Sequence, residues 1–82
     1  MFQFVVVQNG QYGVTHLEDK KEVLGKFRTY DEAKAEALGK FRMLELMQSE
    51  TDKLEGSPTD FTNTVRGEGH ADFTDHYFIE EV

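Results

Sequence analysis

The sequence predicts a small α+β fold: an antiparallel sheet of three or four strands with one long helix packed on one face, in the order β-β-β-α-β. Three observations support this prediction: an Asn-Gly pair between two apolar-rich runs, one segment with a helical apolar period, and a β-prone C-terminal stretch. The 82 residues are expected to form a single domain, 1–82. Within it we expect a β meander over 1–28, a helix over 29–55 and an acidic, aromatic-containing segment over 56–82.

The segment FVVVQNGQYGVTHL, residues 4–17, is expected to form a β-hairpin that turns at Asn9-Gly10. A type I′ turn requires positive φ at both central residues, and Asn followed by Gly tolerates this best. The register that follows from this turn pairs Val7 with Tyr12, Val5 with Val14, Gln3 with His16, Val6 with Gly13, Phe4 with Thr15, and Phe2 with Leu17.

This predicted hairpin has apolar side chains on both faces, a pattern typical of strands that are buried on two sides. One face carries Val5-Val7-Tyr12-Val14 and the other Phe2-Phe4-Val6-Leu17, and the sequence leaves open which of them the helix covers. The C-terminal segment, a second copy or a different protein could cover the remaining face. We favour a homodimer, the commonest oligomer, with the C-terminal segment contributing, because large exposed apolar patches are rare on monomers.

The third strand and the helix follow the hairpin. Val23–Phe27 is expected to be a short strand in which Gly25 marks a bulge or a close backbone approach. Thr29 and Glu32 form a capping box at the start of the helix. The predicted core-facing residues of the helix recur at helical spacing: Ala33, Ala37, Phe41, Leu44 and Met47. The helix is expected to end near Leu54-Glu55, with Gly56 as its C-terminal stop and Pro58 beyond it.

Residues 57–75 contain few aliphatic side chains and show no helical period. Phe61–Val65 is expected to be a short strand, followed by a flexible turn at Gly67-Glu68-Gly69. His76–Glu80 has high strand propensity and is expected to be the last strand. A long structureless loop is uncommon inside a small domain, so 57–75 is expected either to be packed down by its aromatic residues or to be a mobile arm.

The net charge of −7 is distributed unevenly along the chain. Residues 1–53 hold eight bases and nine acids, whereas residues 54–82 hold one base and seven acids, a net of 1 − 7 = −6. Direct binding to nucleic acid is not expected, because it requires a concentrated cationic surface. The chain has no cysteine and no stretch of the ~20 apolar residues that a membrane span requires, so we expect a soluble, cytoplasmic protein that does not bind membranes.

The C-terminal third alternates aromatic residues with acids, the usual composition of a protein-binding patch. We therefore expect a non-catalytic small acidic protein-binding module, dimeric, that acts as an inhibitor or regulator of a basic, nucleic-acid-handling partner. The expected partner-binding residues are Asp60, Phe61, Asp72, Phe73, Asp75, Tyr77, Glu80 and Glu81. No enzyme activity is expected, because the chain lacks a cysteine nucleophile and its serines are not framed by a glycine elbow.

Two alternatives remain open at this stage. In the first, the cluster GEGHADFTDH makes the protein a small metal- or ligand-binding domain, with His70, Asp72 and His76 as candidate metal ligands, since imidazole and carboxylate groups together bind zinc or manganese. The spacing matches no specific metal motif, and we predict no cofactor. In the second alternative, the protein is a purely structural dimer module.

Overall fold

The computed structural model describes residues 1–12, 15–16, 19–67 and 71–82, and it confirms a small α+β fold with an antiparallel sheet and one helix. The number and order of the strands differ from the prediction. The elements are β1 (Phe2–Tyr12), β2 (Thr15–His16), β3 (Lys20–Phe27), α1 (Tyr30–Leu46), β4 (Asp52–Ser57), β5 (Asp60–Arg66) and β6 (Ala71–Glu81). In the described ranges, the structure contains no helix that is both long and apolar enough to cross a membrane.

All of the strand pairs are antiparallel, and the sheet is five strands wide. β6 lies along one edge of β1, while β2 and β3 both lie along the other, so the order across the sheet is β3-β1-β6-β5-β4. The predicted meander over 1–28 is therefore wrong, because β3 pairs with β1. The C-terminal segment does not fold over a face of the sheet: β6 is one of its inner strands.

The predicted turn at Asn9-Gly10 is wrong, because both residues lie inside β1. Asn9 is opposite Thr74 and Gly10 is opposite Phe73, in a β1–β6 pairing that runs without interruption from Phe2–Glu81 to Tyr12–Ala71. This long ladder requires β1 to continue, and its many hydrogen bonds outweigh the local preference of two residues for a turn. The Asn9 side chain contributes as well, since its Nδ2 donates to Asp19 Oδ1 over 2.5 Å.

The predicted hairpin register is wrong for the same reason. Val5 is opposite Val23 and Val7 is opposite Lys21, so β3 takes the place that the prediction gave to residues 11–17. Tyr12 is paired with Thr15 instead. The predicted partners Gly13, Val14 and Leu17 lie outside the described residues.

β3 contains the irregularity that Gly25 suggested. The register shifts between Phe4, which is opposite Gly25, and Val5, which is opposite Val23, so Leu24 is an extra residue on this strand. A Cβ atom at position 25 would lie only 2.8 Å from the Phe27 ring. The glycine is therefore needed for the close approach of that ring.

The helix starts where the capping box predicts and ends nine residues earlier than 55. Thr29 Oγ1 accepts a hydrogen bond from the Glu32 backbone N–H, 3.2 Å away, and α1 begins at the next residue, Tyr30. At the other end the Met47 N–H donates to the carbonyl oxygens of Met43 and Leu44, which closes the last turn. Gly56 is not a helix stop; it lies in β4 with φ of 111°.

Polar side chains explain the early end of the helix. Gln48 Nε2 donates to the Leu44 carbonyl oxygen over 3.1 Å, as a second donor beside the Met47 N–H. The Ser49 N–H donates to Asp52 Oδ2, 3.3 Å away, and leads the chain into β4. Polar residues of this kind compete with helical hydrogen bonds and favour the ends of helices.

The core lies between α1 and the sheet face that carries Phe2, Phe4 and Val6. Phe61 and Tyr77 stack there with their ring centroids 4.9 Å apart. The helix approaches the sheet closely through Ala33 and Ala37, which are completely buried. Of the predicted core-facing residues, Phe41 and Leu44 are half-buried, as is typical of the rim of a small core. The prediction that Met47 is a core residue is wrong. Met47 is 67% exposed and follows Leu46, the last residue of the helix.

Candidate protein-interaction surfaces

The sheet face that points away from α1 is called the open face. Because side chains alternate along a strand, β1 contributes Gln3, Val5 and Val7 to it, and the paired strands contribute Val23 and Phe78. The open face is the second apolar face that the sequence predicted, but the residues opposite Val5 on it are Val23 and Phe78. No described element of the chain packs on it.

A bridge of polar side chains covers the apolar centre of the open face. Lys21 Nζ lies 2.6 Å from Glu80 Oε1, and Gln3 Nε2 donates to the same oxygen over 2.5 Å. Lys21 is opposite Val7 and Glu80 is opposite Gln3, so the ion pair crosses β1 diagonally at Val5. Val5 has an exposed fraction of 0%. The hydrogen bonds from Lys21 and Gln3 hold the pKa of the Glu80 carboxyl below its usual value.

Other acids of the C-terminal third are also matched with bases on the open face. His76 Nε2 lies 2.7 Å from Asp60 Oδ1, and the His76 ring lies 4.9 Å from that of Phe78. Arg66 Nε lies 3.4 Å from Asp72 Oδ1, directly across the β5–β6 pair. These contacts are solvent-exposed and contribute little stability each, and the contact with Arg66 neutralises the charge of Asp72.

The structure does not bring the eight expected partner-binding residues to one surface. Phe61 and Tyr77 are buried beneath α1, with exposed fractions of 1% and 6%. Phe73 is 45% exposed and shares their side of the sheet. The remaining five are all acids, divided between the two faces by the alternation of the strands: Asp60, Asp72 and Glu80 lie on the open face, and Asp75 and Glu81 on the helix side.

Asp75 belongs to a half-buried polar cluster at the edge of the core. Burial raises the pKa of its carboxyl, and the nearby Lys40 ammonium opposes that rise. Lys40 Nζ lies 5.7 Å from the centre of the Tyr77 ring. Burial also raises the pKa of the Tyr77 hydroxyl, and the negative charges of Asp75 and Glu22 raise it further. Deprotonation of Asp75 is therefore disfavoured by the fold.

The candidate metal ligands are not assembled by the described residues. Asp72 and His76 lie on the same strand four residues apart, and each is paired with a different neighbour, Arg66 and Asp60. His70 lies outside the described residues. Elsewhere in the chain, the described histidine and acidic side chains form no group of three that could hold a metal ion.

The outer side of α1 presents an apolar surface that the sequence analysis missed. Leu46 is 89% exposed, and Met43 is also exposed. Together with Met47 they make three exposed large apolar side chains within five residues at the C-terminal end of the helix. The signal was present in the sequence, because Leu46 is nine residues from Ala37 and therefore half a helical turn away from the buried face.

A groove of about 410 Å³ runs beside this surface, between α1 and β3. Phe4 and Leu24 line it from the sheet, and Gly39 and Met43 line it from the helix. A Cβ atom at Gly39 would meet no other atom within 4 Å, so this side of the helix is open. Glu36 and Lys40 also line the groove, so it offers apolar contact area beside two charged side chains.

Comparison with known proteins gives no relative from which a function could be transferred: no family model, no curated protein and no solved structure matches the chain.

Proposed function

We propose that this protein is a non-catalytic protein-binding module that works as a homodimer. The observation that carries the proposal is the exposed apolar cluster Met43, Leu46 and Met47 on a chain of only 82 residues. Exposed apolar surface is unfavourable in water, and its concentration at one place is typical of an interaction site. A second copy is the simplest occupant, since dimers with two-fold symmetry are the commonest oligomers.

The open face gives less support to dimerisation than the sequence suggested. The reason for expecting a cover there was the apolar side chain of Val5, and the bridge from Lys21 to Glu80 already buries that side chain within one chain. The surface at the C-terminal end of the helix is therefore the better candidate for contact between copies.

A basic partner remains part of the proposal because the chain carries a net charge of −7. Long-range attraction would steer such a partner towards the acidic protein. The ion pairs of Asp72 with Arg66 and of Glu80 with Lys21 reduce the strength of this argument. Inhibition or regulation of a nucleic-acid-handling protein is the form of activity that a basic partner would imply.

The dependence of thermal stability on protein concentration tests the proposed dimer. Association that favours the folded state raises the melting temperature as concentration increases, by mass action. We expect a clear rise between about 5 μM and about 500 μM, because a roughly hundredfold increase in concentration shifts a folding equilibrium that is coupled to association. An unchanged melting temperature over the whole range would count against the proposal. Repeating the series at high salt separates apolar association, which persists, from an electrostatic one, which weakens.

A further inference from the structure

The two edges of the sheet differ in how well they are protected against pairing with another strand. β3 carries Lys20, Lys21 and Lys26 and is interrupted by the bulge at Leu24, and both devices discourage edge-to-edge association. β4 carries a single lysine, and its register with β5 continues without a shift from Asp52–Val65 to Ser57–Asp60. Around Leu54, β4 is therefore the less protected of the two edges.

The backbone of β4 presents hydrogen-bonding groups outward at Leu54. Ser57 and Asp60 flank a two-residue loop, and such a closing pair exchanges both of its backbone hydrogen bonds. Bonded and non-bonded pairs alternate along an antiparallel ladder, so Glu55 and Lys53 are bonded to β5 while Leu54 is not. The N–H and C=O groups of Leu54 consequently point away from the sheet.

The side chains of β4 are complementary to a second copy of the same strand. In an antiparallel pair centred on Leu54, that residue faces Leu54 of the partner subunit and exchanges two hydrogen bonds with it. Lys53 then faces the partner's Glu55, and Glu55 faces the partner's Lys53. Within one chain these two side chains already lie on the same face, with Lys53 Nζ 3.2 Å from Glu55 Oε1. The pairing thus creates two attractive cross-strand pairs.

The exposed end of α1 lies on the same side of the molecule as β4. Gln48 Nε2 donates to Asn63 Oδ1 over 2.9 Å, and Asn63 is the direct neighbour of Leu54 across the β4–β5 pair. Leu54 packs against the core on the helix side of the sheet. The end of the helix that carries Leu46 and Met47 is therefore near the edge at which a second copy would arrive.

We propose that two copies pair edge to edge through β4, with Leu54 at the two-fold axis, to form one continuous sheet. The inference rests on the proposed homodimer and specifies its interface. Symmetry places the two helix ends on the same face of the joined sheet.

Charge reversal tests this interface. Lys53→Glu alone and Glu55→Lys alone each place like charges opposite one another at both of the symmetry-related cross-strand pairs. Each should therefore raise the dimer dissociation constant about tenfold. The double variant K53E/E55K restores both attractive pairs and should return the constant to near the wild-type value. Lys26→Glu on the β3 edge makes the same change in net charge as Lys53→Glu and should have no comparable effect.

Sedimentation equilibrium on these four variants and the wild type gives the dissociation constants, and a thermal melt of each variant checks that it is folded. If the wild type is dimeric and all four variants have the same dissociation constant, the β4 interface is overturned and the proposed dimer stands. A wild type that stays monomeric would overturn both. Amide exchange adds an independent test in the unmodified protein: the Leu54 N–H should be protected more strongly as concentration rises.

Discussion

Lys21 and Glu80 join across the central part of β1, with Nζ 2.6 Å from Oε1, and the ion pair lies over Val5. Neither residue is near Val5 in the sequence. Their positions opposite Val7 and Gln3 bring them together, and the completely buried Val5 side chain lies beneath. A two-layer domain with one helix thus covers the centre of its second sheet face with the polar ends and aliphatic stems of its own side chains.

Glu80→Gln should lower the free energy of unfolding at neutral pH, because it removes the charge that Lys21 and Gln3 stabilise. The folded-state pKa of Glu80 is depressed, so its contribution is present above the unfolded pKa and is lost as pH falls through the folded pKa. Urea denaturation at about pH 7 and about pH 3 should show a difference from wild type that shrinks in acid. Glu81→Gln, at the exposed neighbouring residue, is the control; a pH-independent loss in Glu80→Gln would contradict the role of the ion pair.

Val5→Thr should destabilise the protein by about 1–3 kcal/mol, because it puts a hydroxyl in place of a methyl group on a side chain that has no contact with water. Val23→Thr is a matched control, since Val23 lies directly opposite Val5 on the same face and is 43% exposed. That variant should stay within about 0.5 kcal/mol of wild type. Equal effects of the two substitutions in chemical denaturation would show that Val5 is not covered.

Gly56→Ala should destabilise the protein by about 2 kcal/mol or more. Gly56 has φ of 111°, and a Cβ atom there would clash with the Asp60 carbonyl oxygen. Gly39→Ala is the control, because the space around Gly39 is open and alanine favours a helix by up to about 1 kcal/mol. Thermal melts of the two variants should therefore shift in opposite directions, and a neutral Gly56→Ala would contradict the strained β4 backbone.

Asp75→Asn should raise the free energy of unfolding at neutral pH by less than about 1 kcal/mol, since the carboxyl is only half-buried and solvent screens it. Burial raises the folded-state pKa of Asp75 above its unfolded value. Stability is therefore lost as pH rises from the unfolded pKa through the folded pKa, because the carboxyl ionises less readily in the folded state. The gain in Asp75→Asn should accordingly fade in acid, where the wild-type carboxyl is protonated. A variant less stable than wild type at pH 7 would mean that attraction to Lys40 outweighs burial.

The parts of this fold that local chemistry determines could be predicted from the sequence. Thr29 and Glu32 mark the start of α1, and the spacing of Ala33 and Ala37 identifies its buried face. Nearby residues could not show that Asn9-Gly10 forms no turn, because the strand that pairs with both residues, β6, is about sixty residues away in the chain. The end of α1 was missed because hydrogen bonds of Gln48 and Ser49 terminate it without a glycine.

The candidate site was harder to predict than the fold. The alternation of aromatic and acidic residues in the C-terminal third is the alternation of a strand, which divides Asp72 from Phe73 and buries Tyr77 beneath the helix. A list of residue types cannot show this division until the register of β6 is known. The exposed Leu46 could have been found, because its angular position on the helix follows from spacing alone.

Light scattering of the wild-type protein in solution tests the central claim, a homodimer, most directly. We predict a mass of twice the 9.5 kDa of one chain at micromolar to millimolar concentrations. A mass of 9.5 kDa at every concentration would contradict it.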